Sequence, residues 1–261
     1  MTYFVAISNE KGGVAKTTTT LSLGAALAEK GMRVLLVDLD PQGNLSLAVG
    51  IEPRDAQNTS GDILVKNLPL ARAIHKTSTP LLDIIPAAGG MEQEEEILSM
   101  RKNYELILRE AVQTAQPLPY NFILLDCPPS LGAITRNALT AAHLLIIPTQ
   151  AEFFSAYALR DMMDLIRQIR DQSNPTLAYR ILITLLDQRN RSHRVIREQL
   201  QQTFGAGLFE TVIEVDARLR ESPIIGVPIT QYKPNSRGSQ QYRVLAQELI
   251  SYVEKTHQQS T

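Results

Sequence analysis

The sequence predicts an α/β fold, a doubly wound and mostly parallel sheet flanked by helices, forming a single domain over residues 1–261. Three observations predict it. Short, near-continuously apolar runs recur along the chain, as strands covered by helices on both faces require. Longer stretches of helical pattern separate them, the alternation of a parallel sheet with its crossover helices. A glycine-rich loop joins the first run to the first helical stretch, at an edge where open α/β sheets hold ligands.

The elements follow in order. "YFVAI" (3–7) is the first strand, and the helical stretch 17–31 ends on Gly31, suited to a C-cap. "RVLLV" (33–37) is the second strand, after which residues 50–80, with Pro53, Gly61, Pro69 and Pro80, read as an irregular excursion. "LLDIIP" (81–86) precedes the acidic run "MEQEEE" (91–96), read as the solvated start of a helix, where acids suit the dipole. "FILLD" (122–126), "LLIIP" (144–148), the helical stretch 159–172, "RILIT" (180–184) and "ETVIE" (210–214) complete the alternation. In the last helical stretch Val244, Leu245, Ile250 and Val253 form a stripe expected to pack on the sheet. The polar residues 256–261 read as a flexible tail.

Composition sets bounds on function. Hydrophobic residues make up 44% and charged residues 20%, ordinary for a globular protein. No apolar run reaches the roughly 20 residues that span a bilayer, and no secretion signal is visible, so the expected location is the cytoplasm. A net charge of −1 excludes a uniformly basic nucleic-acid binder but permits a local basic face. Cys127 is the single cysteine, which excludes an intrachain disulfide and argues against a cysteine-held metal cluster.

The loop "SNEKGGVAKTTTT" (8–20) resembles a phosphate-binding loop while departing from its usual pattern. Aligned on Lys16 and Thr17, the two customary glycine positions hold Glu10 and Ala15. Gly12 and Gly13 supply the backbone that can approach phosphate oxygens and aim N–H groups at them. The start of the following helix adds its positive end. Lys16 should reach the β- and γ-phosphates, and the Thr17 hydroxyl should ligate Mg²⁺. The expected nucleotide set within the loop is Lys11, Gly12, Gly13, Val14, Ala15, Lys16, Thr17 and Thr18. Asp38 and Asp40 lie at the end of the second strand, and Asp126 ends another, placed to hold Mg²⁺ through water. Together they predict a metal–nucleotide site on a P-loop NTPase fold.

On these residues the chain resembles the ParA/MinD group of deviant Walker-A ATPases, and within it the ParA/Soj branch. The likeness includes "KGGVAKTT", "DLDPQGN", "LLDCPPS", "PTQAEFFSAYAL", "ITLLDQR" and the long C-terminal run from "VIEVDARLRESPIIGVPITQYK" onward. The resemblance implies a cytoplasmic, nucleoid-associated enzyme that hydrolyses ATP slowly with Mg²⁺ and forms an ATP-sandwich homodimer. It also implies a ParB-like adaptor and a cargo such as a plasmid, a chromosome origin or a protein assembly. Lys11 would be the signature lysine that reaches the partner subunit's ATP. Asp38 and Asp40 would position or activate the attacking water, Asp38 also holding Mg²⁺ through water. Ala15 stands where the family usually has glycine, and its methyl is tolerable there if the residue has helical φ. The resemblance places the adenine near Thr184, Val215 and Asp216, and Glu152 near the dimer interface.

Arg189, Arg191, Arg194 and Arg197 crowd one short stretch around His193, with Arg194 and Arg197 expected on one helix face. Arg218, Arg220, Lys233, Arg237 and Arg243 follow. Alone, such a run reads as solvated arginines. The resemblance turns it into non-specific DNA binding through phosphates, with Arg218 matching the family's DNA-contacting segment and Arg220, Arg237 and Arg243 beside it. The alternative is a MinD-like ATPase on a membrane surface. The polar end of the last helix argues against it, since such proteins end in a basic amphipathic helix. His143, at the head of a strand, reads as structural.

Overall fold

A computed structural model describes residues 2–89, 92–152 and 155–259. Seven strands form one sheet: β1 (Tyr3–Ile7), β2 (Val34–Asp38), β3 (His75–Lys76), β4 (Leu82–Ile85), β5 (Phe122–Asp126), β6 (Leu144–Gln150) and β7 (Ala178–Thr184). Their spatial order is β3-β4-β2-β5-β1-β6-β7, parallel except for β3 against β4. β3 escapes the apolar pattern because two residues are too few to show one.

The helices are α1 (Lys16–Glu29), α2 (Asn44–Ala48), α3 (Ser60–Lys66), α4 (Glu92–Ser99), α5 (Ile107–Thr114), α6 (Ala133–Ala141), α7 (Ser155–Gln172), α8 (Arg191–Phe204), α9 (Arg218–Ile225), α10 (Ile229–Tyr232) and α11 (Arg237–Gln259). Side chains of a strand alternate between faces, and the core divides accordingly. Tyr3, Val5 and Ile7 pack with α1, α2, α10 and α11, whereas Phe4 and Ala6 pack with α3, α5, α6 and α7. Gly31 follows α1 with a φ of 81°, in the left-handed region that glycine enters without penalty. The irregular stretch 50–80 contains α3, whose start Thr59 and Asp62 secure by a reciprocal capping box.

Residues 210–214, expected as a strand, are not one. Their N–H groups find other acceptors: the Glu248 carboxylate takes those of Glu210 and Thr211, and the Gln241 side chain takes that of Glu214. The Ile213 N–H donates to Ile183 O at 2.9 Å, and an isolated bridge joins Leu186 to Glu214; these tie the region to the sheet edge without a continuous ladder. The stripe on α11 also differs from expectation. Leu245, Ile250 and Val253 are buried as predicted, but Val244 is 58% exposed and Tyr242 and Leu249 take its place inward. α11 continues to Gln259, so residues 256–259 of the expected tail are helical, while 260 and 261 lie outside the described residues. Met91 of the acidic run and Phe153 and Phe154 of the expected interface segment also lie outside them. No helix among the described residues is long and apolar enough to cross a membrane.

Parallel pairing carries the strand ends to one edge. Ile7 pairs with Asp126, and Asp126 with Asp38, so the last residues of β1, β5 and β2 stand side by side.

Candidate functional site

The loop between Ile7 and Lys16 is fixed from outside by its carbonyls. The Gln150 amide donates to Gly13 O at 3.0 Å, the Thr184 hydroxyl to Val14 O at 3.0 Å, and the Thr19 N–H to Ala15 O at 2.9 Å. Among the described residues nothing accepts the N–H groups of Gly12, Gly13 and Val14. That is a cradle for an anion. Gly13 has φ 74°, and Ala15 has φ 70° and ψ 36°. The condition under which its methyl would be tolerated, a helical φ, is therefore not met. Its methyl sits in the left-handed conformation, at a cost of about 1–2 kcal/mol, because α1 begins only at Lys16 and the turn of the loop ends on Ala15.

The acids divide by what they touch. Asp126 is fully buried; the Thr20 hydroxyl donates to its Oδ1 at 3.1 Å, and its Oδ2 has no partner among the described residues. Burial, then the charge of Asp38, pushes its pKa well above the ordinary carboxylate range. Asp38 is also buried, but both its oxygens are engaged, Oδ2 by the N–H and hydroxyl of Ser46 (2.8 and 2.7 Å) and Oδ1 by the Asp40 N–H (3.2 Å). Burial raises its pKa to about 6 against the opposing hydrogen bonds from Ser46. Asp40 instead lines the cavity above the loop. Lys16 is buried with its ammonium 3.3 Å from Lys11 O, and burial lowers its pKa against the charges of Asp126 and Asp40. Cys127, beside these groups, is fully buried and its thiol pKa is raised by burial, which makes it inert.

The cavity measures about 570 Å³. Gly12, Gly13, Ala15, Lys16, Thr17 and Thr18 form one part of its lining, and Leu185, Ile213, Asp216, Leu219, Arg220 and Ile224 another. Of the residues expected near the adenine, the cavity is lined by one. Asp216 lines the cavity, though the N–H groups of Arg218 and Gly238 occupy its carboxylate at 3.1 and 3.0 Å. Thr184 is spent on Val14 O, and Val215 lines a different cavity. Leu185 and Ile213, which the sequence did not mark, give the cavity an apolar wall; only the place of Leu185 after one strand-like run and of Ile213 within another hinted at them.

Lys11 does not line this cavity. Its ammonium lies 2.6 Å from Glu152 Oε2 and 3.3 Å from Gln150 Oε1. Thr17 faces the cavity and its hydroxyl opposes the rise in the Asp126 pKa, while Asp126 Oδ2 accepts no hydrogen bond of normal geometry among the described residues. Among the described residues no cluster of three or more His, Cys, Asp or Glu could cage a metal unaided. The donor set therefore suits Mg²⁺ shared with phosphate oxygens, one hydroxyl and a water-bridged carboxylate.

The eight arginines do not form one patch. Arg189 and Arg237 line a cleft of about 940 Å³, while Arg194 and Arg197 line a neighbouring groove, on one face of α8 as predicted. The two share Leu186 and Gln188. Arg191 is exposed at the start of α8. Arg189, Arg218 and Arg237 pair with Asp187, Asp216 and Glu214. Arg243 is bound by both Glu29 oxygens, and Arg220 stands in the phosphate cavity. His143 accepts the Phe4 N–H on Nδ1 at 3.0 Å, a structural role as expected.

A family model described as an AAA domain matches residues 2–179. The chromosome partitioning protein ParA of Caulobacter vibrioides is 39% identical over 249 residues, covering 95% of this chain and 93% of that one. The sporulation initiation inhibitor protein Soj of Bacillus subtilis is 39% identical over 248 residues, covering 95% and 98%. Among solved structures, the cobyrinic acid a,c-diamide synthase of Mycobacterium smegmatis with bound ATP analog and magnesium superposes with a TM-score of 0.83. It is 32% identical over 97% of this chain and 96% of that one.

Proposed function

The chain belongs to the ParA/Soj family of partition ATPases, and on that premise we propose that it is a nucleotide switch that binds DNA without sequence preference in its Mg·ATP state. The observation that carries this reading is the buried Asp126 carboxylate with one unpartnered oxygen, set beside Lys16 and an unsatisfied N–H cradle. Thr17 and, through water, Asp126 would hold Mg²⁺. The ion would neutralise charge developing on the transferred phosphoryl oxygens.

This chain's own groups do the rest. Gly12 and Gly13 receive phosphate oxygens on their N–H groups, and Lys16 supplies a cation within the subunit. Asp40, on the cavity wall, orients the attacking water. Asp38 positions Asp40 and Ser46 through the hydrogen bonds it accepts. Two facing triphosphates repel, so each subunit needs positive charge where its neighbour's phosphates lie, and Lys11 supplies it in trans. Dimerisation doubles the arginine surface around Leu186–Arg189, which gives ATP control of DNA affinity. Slow hydrolysis, accelerated by a ParB-like adaptor, then releases the DNA.

Gel shifts with random-sequence duplex test this. A shift with Mg·ATP that vanishes with Mg·ADP or in Lys16→Ala is expected. Equal binding with and without nucleotide would overturn the switch.

A further inference from the structure

Arg220 stands apart from the arginines that accompany it in sequence. It shares a face of α9 with Pro223 and Ile224, and all three line the cavity that Gly12, Gly13, Lys16 and Thr17 also line. Its side chain is exposed, and among the described residues no carboxylate or carbonyl accepts from it. Arg189, Arg218, Arg237 and Arg243, in contrast, are each held by an acid. The Asp216 carboxylate on the same wall is occupied by backbone donors and by Arg218. A guanidinium without a protein partner, on the wall of the cavity that the N–H cradle also lines, is available to an anion, and a phosphate accepts its planar fork through hydrogen bonds.

We propose that Arg220 contacts the phosphates of a nucleotide bound in its own subunit, as a second cis cation beside Lys16, and lies outside the DNA surface. This rests on the nucleotide reading above. The chemistry supports it: a triphosphate carries more negative charge than Mg²⁺ and one lysine neutralise. It also fixes α9, the helix that carries Arg218, against the occupied cavity.

Fluorescent Mg·ADP and Mg·ATP are titrated against the unsubstituted chain, Arg220→Gln, Arg220→Lys and Lys16→Ala. DNA binding is then followed against salt at saturating ATP. Arg220→Gln should bind both nucleotides about tenfold more weakly, the loss of one charge-assisted hydrogen bond. Arg220→Lys should recover part of it, and the salt slope for DNA should not change. Unaltered nucleotide affinity in Arg220→Gln overturns the proposal, as does a salt slope reduced by about one, the mark of a lost DNA phosphate contact. A loss confined to ATP and to dimer-forming concentrations would make the contact a trans one and also overturns it. If the unsubstituted chain and Lys16→Ala bind Mg·ADP alike, the nucleotide reading itself fails, and this assignment with it.

Discussion

Lys11 and Glu152 are joined within one chain, ammonium to carboxylate at 2.6 Å. A lysine proposed to serve a partner's nucleotide is thus parked on its own subunit. The side chains are 28% and 48% exposed, so the pair contributes no more than about 1 kcal/mol. Such a contact can be exchanged for a triphosphate at little cost. Glu152→Gln should therefore raise the ATP-dependent dimerisation constant by up to about fivefold for each lysine released, and Lys11→Ala should abolish dimerisation. Light scattering measures both; normal dimers in Lys11→Ala would end the trans role.

Ala15 holds a φ of 70° without being glycine. Ala15→Gly removes the strain of about 1–2 kcal/mol but loosens the unfolded chain by roughly 0.5–1 kcal/mol. The net expectation is a rise in stability of about 0.5–1 kcal/mol, read as a small increase in Tm. A lower Tm would show that the methyl makes compensating contacts.

Asp40 and Asp38 should separate turnover from stability. Asp40→Ala should cut phosphate release about a hundredfold or more and trap the ATP dimer, while its denaturation midpoint stays near the parent value. Asp38→Ala leaves the N–H and hydroxyl of Ser46 without their acceptor. It should lose turnover together with about 1–3 kcal/mol of stability. Parent-rate hydrolysis by Asp40→Ala would remove that residue from the reaction.

His143 makes stability depend on acid. Its ring accepts a backbone N–H on Nδ1 and is therefore neutral, and burial, with a further push from His257, holds its pKa below the ordinary 6.5. As pH falls through 6.5 the unfolded chain takes up the proton first. Stability is therefore full above that value, falls as pH descends toward the folded pKa, and levels off below it. Urea titrations on either side of that window should show the loss. His143→Phe should erase the difference and cost about 1–3 kcal/mol at neutral pH, since the Phe4 N–H loses its acceptor.

The phosphate loop, the acids at the strand ends and six of the seven strands were legible in the order of residues, because each depends on neighbours in the chain. Apolar runs mark strands, and Gly12–Gly13 followed by Lys16–Thr17, between a strand and a helix, marks an anion-binding loop. Residues 210–214 misled because the N–H groups of Glu210, Thr211 and Glu214 are taken by side chains of α11, a partner that no local pattern announces. Tertiary contacts settled which carboxylate faces the cavity, where Lys11 rests, and that Arg220 lines the cavity that the phosphate loop also lines. Those outcomes depend on the approach of Glu152 to the loop, the register that sets Asp38 beside Asp126, and the packing of α9. All three arise between segments far apart along the chain, and contacts of that range leave no periodic trace in the order of the amino acids.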